Sequence, residues 1–159
     1  MNMTTGTRAP EPTPRTAESR SAARAAAFAA QGSDRRIALL EREWGAYKYA
    51  VLERSPRIYQ SIRGLLRDKT GYPVAEFYRL VDLALATPCA PQMRANAAAH
   101  VWGYFKRVAA EAEKREYRDL MASYLDGEAE IGSVKRFLWR LSVAYGVGYL
   151  IGSDYFADR

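Results

Sequence analysis

Apolar side chains recur at steps of three or four residues along most of the chain after residue 35, a spacing typical of amphipathic helices. The pattern is clearest over residues 34–55, behind a Ser33/Asp34 start signal. Its apolar positions are Ile37, Leu40, Trp44, Tyr47 and Val51. No strand-like alternation competes with this spacing, so the sequence predicts an all-α fold.

Prolines and glycines divide the remaining chain into further helices. Ser55 and Pro56 form an N-cap followed by a first-turn proline, and Gly71 ends the helix that they begin. The later helices are predicted to begin at Pro73, at about Pro91, after Val108 and at about Glu128. These elements predict a single-domain bundle of about six helices with short loops.

Residues 1–34 differ in composition from the rest of the chain. Three of the seven prolines and only one aromatic residue, Phe28, fall in this stretch, which buries too little apolar surface to offset the entropy of ordering. We expect residues 1–15 to be disordered and residues 16–31 to form at most a marginal, solvent-exposed helix. The chain thus divides into an N-terminal arm, residues 1–34, and an all-α domain, residues 35–159.

A chain of 159 residues with 48% hydrophobic composition is long enough for one domain with a real core. Because Cys89 is the single cysteine, the chain can form no internal disulfide and no zinc or iron–sulfur site from its own thiolates. We therefore expect no metal and no cofactor. No apolar run reaches the length of about eighteen residues that spans a bilayer, and residues 1–15 do not resemble a secretory signal. We therefore expect a cytoplasmic protein that does not enter membranes.

Basic side chains are concentrated in the middle of the chain. Residues 35–107 carry 13 Lys and Arg against 6 Asp and Glu, whereas residues 108–159 carry 7 against 9. A clustered basic surface would bind a polyanion in a salt-sensitive way, whereas evenly spread cations would only solvate the helix faces, and both interpretations stay open. The nucleic-acid hypothesis assigns phosphate contacts to Lys48, Arg57, Arg63, Arg67, Arg94, Lys106 and Arg107.

The only histidine, His100, lies in the run NAAAHVWGYFKR at residues 96–107. Helical spacing predicts a core-facing side that holds Ala97, Val101, Phe105 and Val108. It predicts a second side that holds Asn96, His100, Gly103 and Arg107. Because glycine costs about 1 kcal/mol relative to alanine within a helix, Gly103 suggests that another helix or a ligand approaches it closely.

Three roles are open for this second side. Asn96 and His100 would hydrogen-bond a neighbouring helix, which is the interpretation we favour, or they would bind a ligand. Catalysis is the third role, and it has the least support because the chain offers no second histidine for a metal and no nucleophile at a recognisable spacing. A small enzyme of this kind would gather Asn96, His100, Tyr47 and Lys48 in one pocket.

Tyrosines are confined to the same part of the chain as the helices. All eleven follow residue 46, and the run WGAYKY places aromatic rings beside Lys48. Rings next to cations are typical of proteins that stack unpaired RNA bases. Tyrosines at the edge of a helical core, with the ring inside and the hydroxyl in water, give the same pattern, and we favour this explanation for any single tyrosine.

Five segments carry a family resemblance: WGAYKYAVL, SPRIYQSIRGLL, MRANAAAHVWGYFKR, EKREYRDLMASYLDGE and GYLIGSDYF. In this order and spacing, over about residues 44–156, they resemble the YbgA-like family, a bacterial and archaeal domain of unknown function. The most specific piece is N-x3-H-x2-GYFK. Two positions depart from the family pattern, since Tyr47 stands where a histidine is usual and Glu128 stands where a proline is usual.

The resemblance implies a binding role. YbgA-like domains occur alone or fused to an iron–sulfur domain similar to thiouracil desulfidases, and in the fusions they look like the module that engages thiolated tRNA. Since this chain lacks the cysteines of the catalytic half, the resemblance implies a non-catalytic module for tRNA, with an iron–sulfur desulfidase-like protein as a candidate partner. The family-motif surface beside the cations would consist of Trp44, Tyr47, Asn96, His100, Gly103 and Tyr104.

A further hypothesis is a protein-interaction adaptor. In this case the aromatic C-terminus, residues 149–156, would be exposed and would dock on a separate iron–sulfur or repair enzyme. Co-purification of a partner that survives nuclease treatment would favour this hypothesis over tRNA binding.

Overall fold

The computed structural model describes residues 12–32 and 36–159, and every regular element in those residues is helical, which confirms the all-α prediction for them. The α-helices are α1 Ala17–Ala29, α2 Arg36–Leu52, α3 Pro56–Leu65, α4 Val74–Leu85, α5 Pro91–Trp102, α6 Glu111–Leu125, α7 Ile131–Ala144 and α8 Gly148–Ile151. A 3₁₀ turn, Asp154–Phe156, follows α8. The six predicted core helices correspond to α2–α7. The predictions for residues 1–11 and for the Ser33/Asp34 start signal lie outside the described residues.

Local sequence signals set several helix ends, but α3 ends at Leu65 and not at Gly71 as predicted. The Ser55 hydroxyl accepts a hydrogen bond from the Ile58 amide at 3.1 Å, and Pro56 occupies the first turn of α3. Gly127 and Gly146 follow α6 and α7 with φ of 76° and 63°, a left-handed conformation that glycine adopts without a Cβ penalty. The chain therefore reverses direction sharply after each of these two helices.

Helix α5 ends earlier than the sequence periodicity indicates. Its last residue is Trp102, Gly103 is its C-cap, and residues 103–108 form turns. Val108, predicted to face the core, is 62% exposed, whereas Phe105 is buried as predicted. The prediction for Val108 is wrong because the 100° rotation per residue applies only while the helix continues.

Helices α2 and α7 form the centre of the bundle. Helix α2 packs against α1, α3, α4, α5, α8 and the 3₁₀ turn, and α7 packs against α5, α6, α8 and the same turn. One continuous cluster of buried apolar side chains joins them. Its large, fully buried members include Phe77, Phe105, Phe156, Ile62, Leu138 and Leu141. Burial of this apolar surface supplies the main free energy that stabilises the fold.

Most residues of helix α1 are exposed, and one face of the helix packs onto the bundle. Thr16 caps it, with its hydroxyl accepting a hydrogen bond from the Ser19 amide at 3.1 Å. Ala27 is only 1% exposed, and Phe28 stacks on Tyr78 of α4 with the ring centroids 5.6 Å apart. These contacts with α2 and α4 stabilise a helix that would be marginal in isolation.

Arg15 anchors the start of α1 to the bundle. Its guanidinium pairs with Glu43 of α2 and lies 2.8 Å from Asp154 in the 3₁₀ turn, and both carboxylates are buried. The same guanidinium lies 4.9 Å from the centroid of the Tyr47 ring. The predicted disorder of residues 1–15 therefore does not extend to Arg15.

The C-terminal segment closes the core around a buried lysine. Lys135 of α7 has no exposed side-chain surface, and its ammonium lies 3.0 Å from Glu53 of α2 and 2.7 Å from Asp158. The ammonium also donates a hydrogen bond to the Tyr155 carbonyl oxygen at 3.1 Å. One cation thus joins two central helices to the end of the chain.

Burial raises the pKa of Glu53 above its ordinary value of 4.5, while the positive charge of Lys135 opposes the rise. Glu53 is 3% exposed, so water cannot replace the ammonium as a partner. Removal of the lysine charge would therefore leave a carboxylate that is costly to ionise in the folded state.

We predict that Lys135→Met lowers the free energy of unfolding by about 3 to 5 kcal/mol at pH 7, the usual cost of breaking a buried ion pair. The loss of stability should shrink as the pH falls to 4.5 and below, because a growing share of Glu53 is then protonated in the unfolded state as well as in the folded state. It should grow as the pH rises, because the unfolded chain ionises freely while the folded variant resists ionisation. Urea unfolding at several pH values measures both effects.

The matched control is Lys114→Met, which removes a lysine that pairs with Glu111 on the surface of α6. This change should cost less than about 1 kcal/mol, since exposed ion pairs contribute little. A Lys135→Met deficit that is the same at pH 4.5 and pH 7 would show that the charge on Glu53 is not its cause.

We predict that Arg15→Ala destabilises the protein by about 2 to 4 kcal/mol, because it leaves two buried carboxylates without their shared cation. The control is Arg24→Ala, which removes an arginine within α1 whose partner, Asp82, is largely exposed. This change should lower the free energy of unfolding by less than about 1 kcal/mol. Thermal unfolding of the two variants gives the comparison. Equal losses would mean that Arg15 does not anchor α1.

Candidate nucleic-acid interface

Four side chains from three parts of the fold meet beside α2, and we call them the tyrosine patch: Lys48, Tyr49, Tyr104 and Tyr149. The Tyr49 hydroxyl donates a hydrogen bond to the Tyr104 hydroxyl at 3.0 Å. The rings of Tyr104 and Tyr149 stack with their centroids 6.1 Å apart. The Lys48 ammonium lies 5.2 Å from the ring centroid of Tyr49 and 5.8 Å from that of Tyr149. Because Tyr104 and Tyr149 are 41% and 45% exposed, their rings are accessible to a ligand.

Helix α8 approaches α2 closely because residue 45 is a glycine. A Cβ atom at Gly45 would lie 2.9 Å from Cε2 of Tyr149, closer than van der Waals contact allows. The absence of a side chain therefore permits the close packing that places Tyr149 beside Lys48.

The tyrosine patch is extended on one side by Tyr59 and Arg63 of α3 and by Trp44 of α2. We call these three residues the α3 flank. The rings of Trp44 and Tyr59 are 5.3 Å apart between centroids, and the Arg63 guanidinium lies 5.9 Å from the Tyr59 centroid. Burial lowers the pKa of Lys48, and the positive charge of Arg63 lowers it further. The second effect shows that the two cations are close enough to repel each other.

Further cations border the α3 flank. Trp44, Arg63, Arg67 and Lys69 help to line an open cavity of about 320 Å³. Lys69 pairs with Glu41, whereas Arg63 and Arg67 make no ion pair within residues 12–32 and 36–159. Two unneutralised guanidinium groups therefore lie beside the Trp44 ring.

The other predicted phosphate contacts lie in three places. Lys106 and Arg107 are exposed and follow Tyr104 in the turn after α5, so they are its neighbours along the chain. Arg57 lines a separate groove between α3 and α4. Burial lowers the pKa of Arg94, whereas Cys89 and the carboxylates of Glu53 and Asp158 raise it, so Arg94 lies near the C-terminal segment. Lys48, Arg63 and Arg67 therefore lie at the patch and the α3 flank, Lys106 and Arg107 follow Tyr104 in the chain, and Arg57 and Arg94 lie elsewhere.

A family comparison covers most of this fold. Residues 48–158 match the model of a family described as a protein of unknown function, DUF1722. The chain belongs to this family. The matched range of the DUF1722 domain includes Lys48, Tyr104 and Tyr149, whereas α1 and the first part of α2 precede it. No curated protein and no solved structure matches the chain.

The histidine motif of the DUF1722 domain faces solvent. Asn96 and His100 are exposed, and neither makes a side-chain hydrogen bond or ion pair in the described part of the chain. The favoured prediction that they bond a neighbouring helix is therefore wrong. No other helix approaches Gly103 either, since a Cβ there would first meet the His100 carbonyl oxygen, at 3.0 Å, in its own turn. Gly103 is placed at the end of α5, where the chain leaves the helix.

Tyr47 does not belong to the exposed surface to which the sequence assigned it. It is 3% exposed, lies against Arg15, and has its pKa raised chiefly by burial. Because successive residues rotate by about 100° around a helix, Tyr47 and Lys48 lie on different sides of α2. Within the described residues, no contact joins the proposed enzyme pocket of Asn96, His100, Tyr47 and Lys48.

The aromatic C-terminus is part of the core. Leu150, Tyr155 and Phe156 are at most 1% exposed, whereas Tyr149 is accessible. The prediction that residues 149–156 form an exposed docking segment is wrong, because the segment packs on α2 and α7 around Lys135.

The site predicted from the sequence left out four residues: Gly45, Tyr49, Tyr59 and Tyr149. Of these, Tyr49 had been placed beside Lys48 by the run WGAYKY, and Tyr149 had been assigned to the exposed segment of the adaptor hypothesis. The spacing of Tyr59 and Arg63, four residues apart on α3, was a usable signal because such residues share a helix face. The contact between Gly45 and Tyr149 had no local signal, since it joins positions far apart in the chain.

The described residues hold neither a candidate metal site nor a helix that could cross a membrane. Among residues 12–32 and 36–159, no group of three or more His, Cys, Asp or Glu side chains could hold a metal ion. Of the helices in these two ranges, none combines the length and the apolar character that crossing a membrane requires.

We predict that Gly45→Ala displaces the Tyr149 ring. The variant should therefore gain less free energy of unfolding than a glycine-to-alanine change within a helix normally gives. The control is Gly64→Ala near the end of α3, where a Cβ would meet nothing within 4 Å. That change should stabilise the protein by about 0.5 to 1 kcal/mol through helix propensity. Urea unfolding and the aromatic NMR shifts of Tyr104 and Tyr149 measure the outcome. Equal stabilisation with unchanged shifts would contradict the close contact at Gly45.

Proposed function

We propose that this DUF1722 domain is a non-catalytic module that binds tRNA through the tyrosine patch and the α3 flank. The observation that carries the proposal is the position of Lys48, half-buried between two tyrosine rings and next to the exposed ring of Tyr104. This arrangement combines a cation with flat apolar surfaces within a single contact area.

The exposed rings support recognition of unpaired bases. RNA-binding proteins recognise loops and single strands by stacking splayed-out bases on aromatic side chains, and each stacked base contributes about 1 to 3 kcal/mol. Tyr104 is held in place by a hydrogen bond from Tyr49, and the rings of Tyr104 and Tyr149 stack on each other. Little conformational entropy would therefore be lost when a base packs against them.

The surrounding cations support contacts with the phosphate backbone. Arg63, Arg67, Lys106 and Arg107 are exposed and make no ion pair within the described ranges. Free guanidinium and ammonium groups release counter-ions from RNA when they bind phosphates, which makes the affinity depend on salt. Arg57 and Arg94 have no part in this proposal, because they lie away from the patch.

The resemblance to YbgA-like domains makes the proposal more specific. In that family the domain looks like the module that engages thiolated tRNA beside an iron–sulfur desulfidase-like domain. We extend the proposal to a thiolated tRNA as the ligand and to a separate desulfidase-like protein as the catalytic partner. Co-purification that is lost on nuclease treatment would support a complex bridged by RNA.

We predict that the protein binds tRNA with an affinity that falls steeply as salt increases. In Arg63→Gln/Arg67→Gln, the slope of log affinity against log salt should become shallower by about 0.7 to 0.9 for each lost phosphate contact. Tyr104→Leu should weaken binding by about five- to a hundred-fold without changing the slope, because it removes stacking and no charge. Filter binding over a range of salt concentrations measures affinity and slope together.

The matched control is Arg118→Gln/Arg136→Gln, which removes the same charge from exposed positions on α6 and α7. This variant should bind tRNA almost as the unaltered protein does. Absence of binding at low salt would reject the proposed function, and equal effects of the two double substitutions would reject the assignment to this surface.

A further inference from the structure

Tyr149 also lines an open groove of about 420 Å³ between α1, α2 and α8. Small residues make up much of the lining of the groove: Ala23, Gly45, Ala46, Gly148 and Gly152. A Cβ at Gly148 would meet nothing within 4 Å, so this part of the groove is open. A flat ring and exposed backbone thus border a slot of the size that small-molecule sites have.

The charged groups at the rim of the groove are not equivalent. Glu43 is paired with Arg15, and Glu41 is paired with Lys69. Arg42 is exposed and makes no ion pair within residues 12–32 and 36–159. The rim therefore offers one unneutralised cation, while its two carboxylates already have partners.

The groove is continuous with the tyrosine patch through a single ring. Tyr149 stacks with Tyr104, contacts Gly45 and lies near the Lys48 ammonium, and it also borders the groove. Cations are thus present beside Tyr149 at Lys48, on the adjoining α3 flank at Arg63, and along the groove at Arg42. An RNA strand that crosses Tyr149 would find a cation before and after the groove.

We infer that the groove accepts one unpaired nucleotide of the bound RNA, with the base against Tyr149 and the adjoining phosphate on Arg42. The inference rests on the proposed function and names the part of the RNA that the site selects. A base within a duplex is stacked on both faces and paired along one edge, so it can enter the groove only after extrusion, which costs a few kcal/mol. A bulged or single-stranded nucleotide avoids most of this cost.

The test uses two RNA hairpins of nearly equal charge, one fully paired and one with a single bulged uridine. The bulged hairpin should bind about five- to a hundred-fold more tightly, the range expected for one stacked base. Ala23→Phe places a ring in the groove from α1 and should abolish this preference while leaving the affinity for the paired hairpin unchanged. The control is Ala22→Phe at an exposed position of α1, which should keep the preference.

A second readout locates the base directly. A hairpin with 5-iodouridine at the bulge should form a photo-cross-link to a peptide that contains Tyr149, and Ala23→Phe should suppress the cross-link. Cross-linking only to other segments would overturn the inference, as would an unchanged preference in Ala23→Phe.

The failures of the two proposals are distinguishable. Salt-dependent binding with a preference for the bulged hairpin that Ala23→Phe leaves unchanged would overturn the nucleotide site and leave the proposed function standing. Absence of binding to tRNA and to both hairpins at low salt would remove the proposed function, and the nucleotide site with it. In that case, binding of an apolar peptide that Ala23→Phe blocks would assign the groove to a protein partner.

Discussion

The buried ammonium of Lys135 is the interaction on which the rest of the architecture depends. A charge in the core must have partners, and Lys135 finds them in Glu53 of α2, Asp158 and the carbonyl oxygen of Tyr155. Residues 154–158 therefore pack against both α2 and α7, where they supply two of the partners of this ammonium group. Since α8 precedes these residues directly, the same closure holds Tyr149 against Gly45.

A buried ion pair of this kind contributes more to the arrangement of the segments than to net stability. Desolvation offsets much of the attraction between the charges, so apolar residues of equal volume would often stabilise a core as well. Apolar residues would not, however, select one position for the C-terminal segment. Asp154 in that segment also receives Arg15, so the docking of α1 depends on the same closure. Both ends of the described chain are thus held against α2 by ion pairs that include a buried carboxylate of α2, Glu43 at one end and Glu53 at the other.

The helices could be predicted from the sequence because their signals are local. Apolar periodicity, the Ser55 cap and the glycines after α6 and α7 each act within a few residues. The C-terminal segment was misjudged because a short aromatic stretch has no periodicity to show which residues face inward. Lys135 did carry a signal, since it lies four residues after Ile131 and three before Leu138, on the apolar face of α7. Its partners could not be inferred, because they come from distant parts of the chain.

The difference between local signals and contacts that join distant parts of the chain also explains which parts of the candidate site could be predicted from the sequence. The excess of cations in residues 35–107 is a bulk property, and it said nothing about which of them would lie together. Arg57 and Arg63 belong to one short helix, yet only Arg63 lies beside the aromatic rings, because the helix turns Arg57 toward α4. Tyr47 and Lys48 are likewise separated by the rotation of α2, which buries one and leaves the other on the patch.

Lys48 differs physically from the exposed cations around it. Burial lowers its pKa, which is a measure of how poorly water solvates its ammonium group. A poorly solvated cation loses little hydration when a phosphate or a base approaches, and salt screens it less than it screens a charge in open solvent. Exposed residues such as Arg67 and Arg107 would attract a polyanion from a distance and lose that effect as salt increases. The half-buried lysine between tyrosine rings would instead act at contact, so it is the element that could give this basic surface selectivity for a particular RNA structure.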